Sequence, residues 1–171
     1  MPPDSTFDVD SFLSTTYTDA NSTSRIPVPI GEYQAQVKRI NPKKVTFKSG
    51  DEGYLFELNW HILGDEAAKA TNLDEPIVRQ SIFVDVTEGG ALDMRPGLNV
   101  DLGRLRDAVG QNIKGSPWNP AMLLHSTAWV KVEHETDQNG EPRAIIKRVS
   151  KTKSENAPAD TAQPAQQRKR G

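Results

Sequence analysis

Residues 54–62, YLFELNWHI, carry the reading on which the fold turns. Tyr54, Phe56, Leu58, Trp60 and Ile62 fall on one side, and Glu57, Asn59 and His61 on the other. A period of two is the mark of a strand with one face turned to a core. Upstream lie KKVTFK (43–48) and the turn sequence SGDEG (49–53), preceded by GEYQAQV (31–37). In that run Tyr33, Ala35 and Val37 alternate with polar residues, so the two runs read as a hairpin joined at a glycine-containing turn. Downstream, IVRQSIFVDV (77–86) sends Ile82, Val84 and Val86 inward and Arg79, Ser81, Phe83 and Asp85 outward.

The spacing then changes. In NVDLGRLRDAV (99–109), Leu102, Leu105 and Val109 share a helical face, with Asn99 placed to cap the start and Gly110 to end it. Asn119-Pro120 opens a short turn running through Leu124. STAWVKVEHE (126–135) and RAIIKRVS (143–150) are two more strands, joined through DQNGEP, whose Asn-Gly suits a tight hairpin. Five strands with a helix between the third and fourth is the chain order of an OB-fold, a five-stranded Greek-key barrel. An open α+β sheet uses the same order. The expected class is mainly β, OB-fold-like, with flexible termini.

The ends differ from this core. Residues 1–26 form an acidic N-terminal arm: the first 24 residues carry four aspartates and no Lys or Arg. Phe7, Val9, Phe12, Leu13 and Tyr17 lie among them, enough either for a short helix docked on the domain or for a loose tail. Residues 27–150 form the domain. Residues 151–171 are a basic tail without aromatic or large aliphatic residues, and such composition predicts disorder. The acidic start, MPPDSTFDVD, lacks the basic n-region of a secretory leader, and no apolar run is long enough for a membrane span. A soluble cytoplasmic protein with no membrane association is expected.

Composition removes several chemistries. The 171 residues include no cysteine and three histidines, so disulfides, thiolate metal sites and cysteine nucleophiles are excluded. No two histidines stand at helical metal-pair spacing. There is no G-x-S-x-G elbow and no phosphate-cradling glycine loop. Glu133 and Glu135 flank His134, but alternation puts the histidine on the opposite face. No catalytic residue, metal or cofactor is therefore expected, although a nuclease built on scattered carboxylates would leave little trace.

Net charge is −2, yet it is unevenly spread. Lys38, Arg39, Lys43, Lys44 and Lys48 give residues 38–48 a local +5, with Phe47 among them, while residues 49–76 hold seven acids and one Lys. Binding a single-stranded nucleic acid needs cations for the phosphates and flat rings for the exposed bases. The outward positions of other strands offer the same mixture: Arg79 with Phe83, Trp129 with Lys131, and Arg143 with Lys147, followed by Arg148. Phe83 and Trp129 could equally pack beneath a terminus or partner, and the pattern leaves both open. Trp118, between Pro117 and Asn119, reads as a loop anchor, and Arg104 and Arg106 as solvated flanks of the helix.

TTYTDANST (15–23), PVPIGEYQAQV (27–37), SIFVDVTEGG (81–90), NVDLGRLRDAVGQN (99–112) and SPWNPAMLL (116–124) together resemble small proteins that tailed bacteriophages encode beside replication and recombination genes. The resemblance covers residues 12–150. It implies an OB-like core, single-stranded-DNA binding without enzymatic activity, residence in the bacterial host's cytoplasm, and phage or host replication or recombination proteins as partners. A homo-oligomer is compatible with it. One departure stands out: many such binders end in an acidic recruiting tail, whereas this chain ends in RKRG. The rival expectation is a protein-interaction module that docks through the acidic 49–76 stretch or the Phe12–Tyr17 segment.

Overall fold

The computed structural model describes residues 7–154. The expected disorder of the tail beyond Ser154 lies outside them. Five strands make one antiparallel sheet: β1 (Gly31–Thr46), β2 (Glu52–Ile62), β3 (Ile77–Val84), β4 (Thr127–Thr136) and β5 (Pro142–Ser150), in the spatial order β3-β2-β1-β4-β5. Helix α1 (Val9–Ser14) precedes the sheet, α2 (Asp65–Thr71) joins β2 to β3, and α3 (Val100–Ala108) follows β3, with a 3-10 turn over Pro120–Leu123. The class and chain order match expectation. Closure does not. β3 and β5 face one another, but no ladder joins them, so the sheet is open where a barrel was expected. Arginines stand on both lips of that seam.

The alternation read from the sequence is the alternation that packs. Ala35, Val37, Leu58, Trp60, Ile62, Val78, Val130 and Val132 are buried under α3, whose Leu102 and Leu105 close the core. The indole N–H of Trp60 donates to Gln80 Oε1 at 2.8 Å, so the largest core side chain leaves no orphan donor. Tyr54 departs from the stripe. It lies beyond the end of the core and is 38% exposed.

Two bulges alter which residues share a face. Val37 pairs with Trp60 and Arg39 with Asn59, which leaves Lys38 as the extra residue. Past it, Ile40, Pro42 and Lys44 take the core side, and Arg39, Asn41 and Lys43 the outer side. In β5, Lys131 pairs with Arg148 and Val132 with Ile146, which makes Lys147 the extra residue. Arg143 and Lys147 therefore do not share a side as expected. Arg143 and Arg148 do.

The helices bring further corrections. No helix is read from the sequence at DEAAKAT, the run of α2. It folds because Ala67 and Thr71, one turn apart, are buried, with acids in its first turn and Lys69 in its last. Asn99 occupies the cap position of α3 but makes no side-chain cap; its amide instead bonds the backbone of Asp85 and the carbonyl of Asp93. The helix ends as expected. Gly110, at φ 76°, donates to Asp107 O and Gln111 to Arg106 O, the paired bonds of a Schellman close. Helix α1 forms behind Asp8, but none of its residues is buried, so it does not dock on the domain.

Candidate nucleic-acid interface

The seam between β3 and β5 is a cleft of about 1180 Å³. Its lining carries six cations, Arg25, Arg79, Arg104, Arg143, Lys147 and Arg148, against two acids, Glu75 and Asp101. They arrive from four segments of the chain. Arg79 is an outward residue of edge strand β3, Arg143 and Arg148 are outward residues of β5, Lys147 sits on the bulge, and Arg104 projects from α3. Arg25 comes from the segment leading into β1, which is pinned where the His134 ring nitrogen Nε2 meets Val28 O at 2.7 Å.

Several of these cations have internal partners. Arg143 pairs with Glu135, Arg148 with Glu32 at 3.6 Å, Arg104 with Asp101 at 3.2 Å, and Arg79 with Glu57 at 3.8 Å. Among the described residues, Arg25 and Lys147 have no carboxylate within ion-pair distance.

The 38–48 segment is less free than its composition suggests. Lys38 lies 3.5 Å from Glu75, Lys43 is 3.1 Å from Glu57, and Lys44 is 2.9 Å from Glu52. The β1–β2 hairpin zips the basic run against the acidic run that follows it, so much of the local +5 is answered within the fold. Arg39 and Lys48 keep no such partner among the described residues. The hydrogen bond from Lys43, reinforced by Arg79, holds the Glu57 carboxyl below its usual range, and Glu52 raises the Lys44 ammonium.

Beyond the cleft, along the outer face of β3, stands an aromatic pair. Phe47 and Phe83 lie with ring centroids 5.9 Å apart and stay 44% and 58% exposed. Gly53 makes room for it: a Cβ there would come within 2.7 Å of the Phe47 ring. Because Lys43, Leu55 and Phe83 are directly paired across β1, β2 and β3, they share this face with Arg79.

Trp129 is placed otherwise. It points outward beside Lys131 as read, but it is half-buried, with Lys153 Nζ 5.6 Å above the ring. The backbone N–H of Ser154 donates to Glu32 Oε1 at 2.7 Å and fixes that cover. Lys131 itself meets Glu133 at 3.4 Å. Trp118 is the loop anchor expected, donating to Gln111 Oε1 at 2.8 Å. Arg106, read as solvated, is only 8% exposed, stacks 4.0 Å over Trp118 and has its ionisation disfavoured by burial.

The sequence thus supplied Arg79, Phe83, Arg143, Lys147 and Arg148 but not the seam that gathers the cations. It passed over Arg25 and Arg104. Arg25 stands immediately before the Pro-flanked start of β1, and Arg104 one turn from Asp101, yet neither position signals a cleft on its own. Among the described residues no three His, Asp or Glu side chains converge on a metal-sized site, and no helix is long and apolar enough to cross a membrane. No family model matches the chain, and no curated protein is detectably similar to it.

Proposed function

We propose that this protein is a non-enzymatic, largely sequence-independent single-stranded-DNA-binding protein of OB-like architecture, serving phage replication or recombination in the host cytoplasm. The strand order β3-β2-β1-β4-β5 supports the OB-like reading, in which a five-stranded Greek-key barrel would be slit between β3 and β5. The observation that carries the function is the cation-lined seam continuing along the outer face of β3 into the exposed Phe47–Phe83 pair. Arginines and a bulged lysine would track a backbone, and the rings would take bases that a duplex keeps stacked.

The test is a titration of labelled oligo-dT against duplex DNA of equal length, in magnesium. The expected outcome is strand protection with a clear preference for oligo-dT. Equal affinity for both, or cleavage of either, would overturn the reading.

A further inference from the structure

The chain enters the sheet through Arg25, Ile26, Pro27, Val28 and Pro29, and this sequence makes a stiff rod. Each proline fixes its own φ at about −65°, and the residue before each, Ile26 and Val28, is confined to extended backbone. Four consecutive residues thereby lose most of their freedom. Asn21, Ser22, Thr23 and Ser24, just ahead of Arg25, carry no such restriction.

Pro27 and Pro29 offer no N–H, so the rod cannot join the sheet by a regular ladder, and side chains take two of its carbonyls instead. The His134 ring nitrogen Nε2 lies 2.7 Å from Val28 O, and the Tyr33 hydroxyl donates to Pro29 O at 2.8 Å. A carbonyl only accepts, so Nε2 carries the hydrogen. Both clips come from inside the domain. Tyr33 is buried on β1, and His134 continues the inward line of Val130 and Val132 along β4. Val28 is buried between them and the core, and Arg25, Ile26, Pro27 and Val28 all line the seam.

We propose, resting on the single-strand reading of the seam, that His134 and Tyr33 are positioning residues for DNA: they clip the 26–29 rod so that its free end holds Arg25 in the seam as a preset phosphate contact. Arg79, Arg104, Arg143 and Arg148 each face a carboxylate that a phosphate must displace or share. Arg25 has none within ion-pair distance among the described residues. A backbone fixed in advance also removes part of the ordering cost that an arginine on a loose chain meets at the moment of binding.

The test is the salt dependence of oligo-dT binding by the full chain. Arg25→Ala should make the log–log slope shallower by about 0.7, the share of one phosphate contact on a single strand. His134→Ala should reproduce most of that loss, because it releases the rod at Val28, and Tyr33→Phe should give part of it. His134→Gln keeps an N–H able to meet the same carbonyl and should restore the wild-type slope. In the Arg25→Ala background, His134→Ala should add nothing, since a clip with no arginine to hold has no contact to lose. Pro27→Gly loosens the rod without touching either clip and should behave as His134→Ala does in both backgrounds. A wild-type slope in His134→Ala or Pro27→Gly overturns the assignment, as does an equal loss with and without Arg25 or a loss that persists in His134→Gln. Oligo-dT that binds the wild type no better than duplex removes the single-strand reading and this assignment together. A wild-type preference for oligo-dT with an unchanged Arg25→Ala slope removes the assignment alone.

Discussion

At the scale of single residues, the two rings on the outer face are the sharpest handle. Phe83 keeps its ring largely open to solvent beside Phe47, so Phe83→Ala should lower single-strand affinity by about 1–3 kcal/mol, read by fluorescence titration. Its melting temperature should move little, as befits a side chain that is 58% exposed. A large stability loss with unchanged binding would make the pair structural. Glu57 gives the opposite prediction. It engages both Lys43 and Arg79, so Glu57→Gln should free two cations and tighten binding. The salt slope should steepen by about 0.7 for each new phosphate contact. The same carboxyl fixes a pH dependence. Its folded pKa is depressed, so its contribution to stability is present above the unfolded value of 4.5 and is lost as pH falls through the lower folded value. Urea titrations of wild type and Glu57→Gln should therefore converge as the pH drops below that value.

At the scale of elements, legibility followed burial. β2, β3 and β4 were readable because one face is buried throughout, and period two survives wherever that holds. The face assignment failed at Lys147, where a single extra residue shifts the side chains beyond it without disturbing composition. α2 was hidden because its buried face is only Ala67 and Thr71, a pattern too small to stand out in a run of small and charged residues. The seam was hidden for a different reason: its cations come from four separate segments, and only tertiary structure sums them. Two predictions belong here. Gly110→Ala, at φ 76°, should cost about 1 kcal/mol by straining the close of α3, measured by thermal melting. A chain ending at Ser150 should melt several degrees below one ending at Ser154, about what loss of 1 kcal/mol produces in a domain this size. It lacks the Ser154–Glu32 bond and the Lys153 cover on Trp129. Equal midpoints would return Trp129 to the list of rings open to a ligand.

At the scale of the whole molecule, net charge is misleading. The chain is −2, yet the acids that outnumber the bases are largely spent on internal pairs along the hairpin and in the N-terminal arm. Single-strand affinity should therefore fall with salt despite the negative total, with a log–log slope of about −0.7 per phosphate engaged. A slope near zero would remove the seam from the binding surface. The seam has a mechanical side as well. Five strands closed in a ring resist dilation, because every ladder must stretch together. Split between β3 and β5, the same strands form an incomplete ring that can widen by a slight change of coil shared among four ladders, with no hydrogen bond broken. β1 is the spine of this spring, the strand to which both halves are hinged. The gap between the two lips is thereby free of ladder hydrogen bonds, and α3, packed against both β3 and β5, is what resists its widening.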